Sequence, residues 1–96
     1  MNGEQRWRKG EQALKDYEKW LSNFGADSQN RQVLKYMIDH GSISPVEAFF
    51  DLGVYRLSGR IHNLRAVGVP IHTERVTLTS EKGATRNFAR YSLIDD

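Results

Sequence analysis

The sequence predicts an α+β fold, in which three short helices are followed by a β-hairpin and preceded by a further amphipathic helix. Three observations support this prediction. Helix start and stop signals divide residues 28–68 into three short segments, and β-branched residues fill the stretch after Pro70. The surplus of arginine lies in the third segment and the hairpin. A chain of 96 residues is expected to form one domain.

A repeating apolar pattern predicts the N-terminal amphipathic helix over residues 11–24. Its apolar positions recur every three or four residues, at Leu14, Tyr17, Leu21 and Phe24. This helix either packs on its own domain or forms a homodimer, since the aromatic residues of this region exceed what a short arm needs. We therefore separate an N-terminal arm, residues 1–26, from a domain over residues 27–96.

The first helix of the domain is predicted to begin after a cap at Asp27 or Ser28 and to end near His40-Gly41. The apolar residues at helical spacing, which we expect to be buried, are Val33, Leu34, Met37 and Ile38.

The second helix is predicted to begin at Ser44-Pro45-Val46-Glu47. Ser44 and Glu47 can form a reciprocal capping box, and proline fits the first helical position because its missing N–H costs nothing there. Gly53 is expected to end this helix after about two turns. Its buried surface is expected to come from Val46, Phe49, Phe50 and Leu52.

The third helix is predicted from about Tyr55 to Val67, with Gly68 as its stop. Gly53-Val54 forms the turn before it, where a glycine suits a positive φ. The core stripe is expected to consist of Leu57, Ile61 and Leu64.

The hairpin is predicted from a strand over residues 71–79, a turn near residues 80–83 and a strand over residues 85–94. In the first strand the apolar alternation slips between Thr73 and Val76, which predicts a bulge or bend. Arg75 and Arg90 are expected to face each other across the strands.

The net charge of +2 is unevenly distributed. Residues 1–53 hold seven Lys or Arg against eight Asp or Glu, whereas residues 54–90 hold seven against two. Asp95 and Asp96 add an acidic end. A polyanionic partner is therefore expected to meet the third helix and the hairpin.

Composition excludes several classes. Cysteine is absent, and no apolar run is long enough for a membrane span or a signal peptide. We expect a cytoplasmic protein of a bacterial cell that contacts no membrane. His40, His62 and His72 lack partners at metal-ligand spacing, and no glycine-rich phosphate loop or nucleophile turn is present. We therefore expect no enzyme activity, catalytic residue, metal or cofactor.

Three helices followed by a hairpin form the pattern of a winged helix-turn-helix, in which the third helix enters the DNA major groove. Arg56 is the first candidate for a base contact, since a guanidinium can bond guanine in a bidentate way, and Asn63 could bond adenine. Arg60 and Arg65 are expected to be phosphate contacts or intradomain partners. The full set of predicted DNA contacts is Tyr55, Arg56, Ser58, Gly59, Arg60, His62, Asn63 and Arg65 on the helix, with Lys82 and Arg86 on the wing near residues 80–86.

From about Ser28 to Leu93 the sequence resembles a small family of helix-turn-helix domain proteins found in bacteriophages, prophages and other mobile elements. The most characteristic run is Arg56-Leu57-Ser58-Gly59-Arg60-Ile61-His62-Asn63-Leu64-Arg65, followed by Gly68-Val69-Pro70-Ile71. Further matches are Gly41-Ser42-Ile43-Ser44-Pro45-Val46-Glu47-Ala48 and Ala89-Arg90-Tyr91-Ser92-Leu93. The resemblance implies a winged helix-turn-helix fold and DNA binding.

Two functions from different classes follow. The first is a sequence-specific double-stranded DNA-binding protein, a small regulator of transcription or another DNA transaction in a phage or mobile element. The alternative is a winged-helix interaction module that binds a host protein, such as a host enzyme or defence complex, without binding DNA. The modest net charge and the aromatic arm motivate this alternative.

Overall fold

The computed structural model describes residues 15–94, which form helices packed against one antiparallel sheet. Residues 15–21 are helical and are called α1. The elements that follow are α2 (Gln29–His40), β1 (Ser42–Ile43), α3 (Pro45–Glu47) with a π-helical turn (Ala48–Leu52), α4 (Leu57–Ala66), β2 (Ile71–Thr79) and β3 (Thr85–Leu93). The predicted α+β winged architecture is therefore confirmed.

Helix α1 packs on the domain that follows it. Trp20, Leu21 and Phe24 lie against the core, and the Arg31 guanidinium donates to the Leu21 carbonyl at 2.7 Å. The helix ends before the predicted Phe24, because the N–H groups of Asn23 and Phe24 bond carbonyls only three residues back. Residues 1–14, which include the first part of the predicted helix, lie outside the described residues.

The core lies between α2, α4 and the near end of the sheet. Helix α2 begins at the predicted Ser28 cap, whose hydroxyl accepts from the Arg31 N–H at 3.0 Å. It ends at Gly41, where φ is 89°. The buried apolar side chains are Val33, Leu34 and Met37 on α2, Leu57, Ile61 and Leu64 on α4, and Ile43, Ala48, Val54, Val69 and Ile71 around them. The predicted stripe of α4 is confirmed, and so is that of α2 except for Ile38, which is only partly buried against the core.

The predicted capping box of α3 is confirmed. The Ser44 hydroxyl accepts from the Glu47 N–H at 3.3 Å, and the Glu47 carboxylate accepts from the Ser44 N–H at 2.9 Å. The helix then widens into the π-helical turn, which ends at Gly53, where φ is 71°. The Val54 N–H reaches back to the Ala48 carbonyl at 2.9 Å.

The predicted burial of this segment is wrong for three of its four residues. Val46, Phe49 and Phe50 are exposed, whereas Ala48 is fully buried and Leu52 is partly buried against the core. At about 100° per residue, the three exposed residues lie on one side of the segment, with Ala48 and Leu52 on the other. The structure turns the smaller apolar side inward.

Helix α4 begins two residues later than predicted. Val54 is buried in the turn as expected, but Tyr55 and Arg56 precede the helix, and Arg56 is its N-cap. The helix ends at Ala66, and Gly68 follows with φ at 100°. The chain therefore reverses at the predicted glycine.

The sheet has the order β1-β3-β2, so β3 is its central strand. Each residue of β2 pairs with one residue of β3, from Ile71 with Leu93 to Thr79 with Thr85. Of the bulge or bend predicted here, the bulge is therefore wrong, because the register is one to one throughout. Beyond Ile71, most of β2 is exposed and packs on no core, so its apolar residues need not keep to one face. The short strand β1 was not predicted.

The expected opposition of Arg75 and Arg90 is also wrong. In the observed register Arg75 lies opposite Ala89, and Arg90 lies opposite Glu74. The Arg90 guanidinium donates to the Glu47 carboxylate at 3.2 Å and to the Ser42 hydroxyl. It thereby joins the sheet to the start of α3.

Candidate nucleic-acid interface

The outer side of α4 presents several residues that the sequence predicts to contact DNA. Ser58, Gly59 and His62 are exposed along it, and Arg60 is half-buried on its flank. The Arg60 guanidinium has no hydrogen bond or ion pair within residues 15–94. The apolar side of α4 is thus buried in the core, and its opposite side exposes short or polar side chains to solvent.

Tyr55 and Arg56 lie immediately before α4, and both are exposed. The Arg56 side chain makes no capping hydrogen bond, and no group in the described part of the chain pairs with it. Together with Ser58 and Gly59, these residues line an open cleft of about 420 Å³. Its remaining walls are Pro45, Leu57 and Tyr91. Four predicted contacts therefore share one concave surface.

Two predicted contacts are engaged inside the domain. The Asn63 amide nitrogen donates to the side-chain oxygen of Asn30 at 3.2 Å, which joins α4 to α2. The Arg65 guanidinium donates to the Ile71 carbonyl at 2.9 Å and to the Thr73 hydroxyl at 2.8 Å. Of the two roles expected for Arg65, phosphate contact or intradomain partner, these bonds favour the second.

The predicted wing residues lie at the far end of the hairpin. Lys82 is on the turn and Arg86 is near the start of β3, and both are exposed. The turn is closed by the Gly83 N–H, which donates to the Ser80 carbonyl at 2.9 Å. The side chains of Lys82 and Arg86 make no hydrogen bond or ion pair in the described residues. The hairpin therefore carries two free cations at its tip.

These features form the arrangement of a helix-turn-helix with a wing: α3 with its π-helical turn, the Gly53-Val54 turn, the displayed helix α4 and the hairpin. A family model described as winged helix-turn-helix domain matches residues 28–96. The chain belongs to this family. Membership of the winged helix-turn-helix family indicates DNA as a partner. A search among curated proteins finds no match to the chain.

The prediction from sequence missed one group of surface residues beside the displayed helix. Val46, Phe49 and Phe50 lie on the exposed side of the segment before it, and Phe49 contacts Tyr55. The sequence does indicate that such a group exists, because a two-turn helix with apolar residues on both sides can bury only one of them and must expose the other. The sequence does not say which side that is.

A second unforeseen contact joins α2 to the π-helical turn of this winged helix-turn-helix. The Tyr36 hydroxyl donates to the Asp51 carboxylate at 2.6 Å, and the Tyr36 ring lies 4.3 Å from the ring of His40. The hydrogen bond to Asp51, together with smaller contributions from burial and nearby carboxylates, raises the pKa of Tyr36 to about 12.

Among residues 15–94, no group of three or more histidine or acidic side chains is placed to hold a metal ion. No helix in that part of the chain is long and apolar enough to cross a bilayer.

Proposed function

We propose that this protein binds double-stranded DNA in a sequence-specific way, with α4 in the major groove. The N-terminal part of α4 carries this proposal, because the exposed side chain of Arg56 at its N-cap and the half-buried one of Arg60 in its first turn have no partners in the described chain. Ser58 and Gly59 keep the helix surface low beside them, which allows close approach to base edges. Membership of the winged helix-turn-helix family supports the same function.

The residues divide into base contacts and backbone contacts. We assign Arg56 to guanine, with Tyr55, Ser58 and His62 as secondary contacts, and Arg60 to phosphate. The wing residues Lys82 and Arg86 are assigned to a neighbouring phosphate or the minor groove. Asn63 is a weaker candidate for adenine, since Asn30 already accepts its hydrogen bond.

The biological role proposed is that of a small regulator of transcription or of another DNA transaction in a bacteriophage or mobile element. This context rests on the sequence resemblance described above. Helix α1 packs on its own domain, and a homodimer would have to form through the side of the N-terminal helix that stays exposed. Such a dimer would enlarge the DNA contact beyond what one small module buries.

The first experiment is a titration of labelled random duplex DNA with the protein, followed by fluorescence anisotropy at low and at physiological salt. We expect binding that weakens steeply as salt rises, because phosphate contacts release counterions. Absence of binding even at low salt would contradict the proposal and favour the protein-interaction module.

The second experiment tests the reader residue on a site selected from the random pool. Arg56→Ala should reduce discrimination between this site and random DNA by about 1–3 kcal/mol, because one bidentate contact is lost. Lys19→Ala removes an exposed charge from α1, outside α4 and the hairpin, and serves as the matched control. Equal discrimination by Arg56→Ala and Lys19→Ala would show that Arg56 does not read the sequence.

A further inference from the structure

A group of exposed aromatic side chains lies directly before the displayed helix. We call Phe49, Phe50 and Tyr55 the aromatic patch, with Val46 at its edge. The exposed fractions are 45% for Phe49, 76% for Phe50, 80% for Tyr55 and 61% for Val46. Large apolar side chains gathered at this exposure mark interaction sites more often than single exposed residues do.

The rings of the patch contact one another. Phe49 lies 5.0 Å from Phe50 in an edge-to-face arrangement and 5.3 Å from Tyr55 in a tilted one. None of the three belongs to the core or to the partly buried residues packed against it. Phe50 and Tyr55 therefore present ring surface to solvent on either side of Phe49.

The charges around the patch suit a polyanion. Arg56 follows Tyr55 directly in the chain and has no partner within the described residues. The two carboxylates of the same segment are bonded to other elements, since Glu47 accepts from Arg90 and Asp51 accepts from Tyr36. Arg90 offsets the charge of Glu47, whereas Asp51 keeps its negative charge beside Tyr36. On the Tyr55 side of the patch the charge is positive, because Arg56 lines the same cleft as Tyr55, and this favours nucleic acid as the occupant.

We propose that the aromatic patch stacks on unpaired DNA bases, so that the protein prefers duplex DNA with an adjoining single strand. This inference rests on the proposed DNA binding by α4 and adds a second contact to it. Bases inside a duplex are already stacked on their neighbours and have no free face. An unpaired base has a free face that an exposed aromatic ring can cover, while a nearby arginine meets its phosphate.

The test compares two labelled DNAs by anisotropy, one a blunt duplex and the other the same duplex with a short single-stranded extension. We expect the wild-type protein to bind the extended DNA at least about fivefold more tightly, the lower end of what one stacked base contributes. Phe50→Ala should remove most of this preference and leave the affinity for blunt duplex unchanged.

Three variants separate stacking from other causes. Leu78→Ala removes a similarly apolar side chain, 58% exposed, from the hairpin, and should leave the preference intact. Phe50→Leu keeps an apolar side chain without a ring and should behave like Phe50→Ala. Phe50→Tyr keeps the ring and should retain the preference.

Other outcomes overturn the inference. Equal binding of both DNAs by the wild type contradicts stacking and leaves duplex recognition standing. Failure to bind either DNA at low salt contradicts both proposals together. Self-association in sedimentation velocity that Phe50→Ala abolishes, with no preference between the DNAs, would assign the patch to a second copy of the chain.

Discussion

Helix α2 and the segment formed by α3 and its π-helical turn begin alike and end alike. Each starts at a serine cap, and each stops at a glycine with positive φ. Their apolar residues nevertheless have opposite fates, because α2 buries Leu34 and Met37, whereas the second segment exposes Val46 and Phe50. Apolar spacing therefore identifies a helix without fixing the side that faces the core.

The attachments at the ends of the second segment decide its orientation. At its start, Glu47 closes the capping box and accepts from Arg90 of β3, which is an ion pair at 3.2 Å. At its end, the Val54 N–H bonds the Ala48 carbonyl, and both residues are buried. With both ends fixed in this way, Ala48 points inward and the larger residues point outward.

The most direct test of this difference between α2 and the second segment truncates one apolar side chain in each of them. Leu34→Ala should lower the free energy of unfolding by about 2–5 kcal/mol, because it leaves a cavity in the core. Phe50→Ala should change it by less than about 0.5 kcal/mol, since the side chain is largely exposed. Urea unfolding of the two variants measures both values, and similar losses in both would mean that Phe50 belongs to the core.

The next largest effect on stability is expected at Gly41 and Gly53, the glycines that end the two compared segments. Gly41→Ala and Gly53→Ala should each destabilise the fold by roughly 1–2 kcal/mol, because alanine is strained at a positive φ. A Cβ at either position meets no atom within 4 Å, so the cost comes from the backbone alone. Gly25→Ala is the control, since Gly25 lacks positive φ. Thermal unfolding that separates Gly53→Ala from Gly41→Ala would show that the two ends are not equivalent.

At Gly59, one substitution is expected to change stability and DNA binding in opposite directions. It lies within α4 without positive φ, and a Cβ there meets open space. Gly59→Ala should therefore raise stability by about 0.5–1 kcal/mol, as alanine favours a helix. The same variant should bind duplex DNA more weakly, because a methyl group would project toward the base edges. A stable variant with unchanged DNA affinity would mean that α4 does not approach DNA through this side.

The last effect depends on pH and concerns the Tyr36–Asp51 hydrogen bond, which links α2 to the π-helical turn. The pKa of Tyr36 is raised from 10.0 to about 12, chiefly by its hydrogen bond to Asp51. Because the folded pKa is the higher one, the stabilisation is fully present below pH 10 and is lost as the pH rises toward about 12.

Ultraviolet titration of tyrosinate in the wild type, minus that of Tyr36→Phe, isolates this group. Tyr36→Phe should also flatten the decline in stability between pH 10 and 12. A difference titration centred on the ordinary value of 10.0 would show that the bond to Asp51 does not persist in solution.

Much of the fold follows from signals that act within a few residues. The Ser28 cap, the Ser44-Glu47 box and the glycines at positions 53 and 68 fix helix ends through bonds or backbone angles close in the chain. The strand over residues 71–79 likewise matches its prediction. These elements could be predicted because their causes are local.

The features that escaped prediction depend on distant residues. Strand β1 has two residues and exists because β3 pairs with it. Arg90 meets Glu47 across a separation of 43 residues, and Asn63 meets Asn30 across 33. Strand register and tertiary packing determine such contacts, and patterns of residue types within a few positions of one another do not predict them. The sequence therefore predicts the helix that carries the candidate site, but it does not predict the aromatic patch beside that helix.

The two hydrogen bonds of Arg65 have a geometric consequence. They tie the last turn of α4 to the first residues of β2, so the displayed helix and the hairpin are held at a set spacing. If both α4 and the hairpin contact DNA, this fixed spacing sets the distance between the two contacted positions on the duplex. Duplexes whose groove width matches the spacing fit without deformation, and others must bend or widen at a cost that depends on their sequence. One guanidinium that touches no base would thus help to select DNA by its shape.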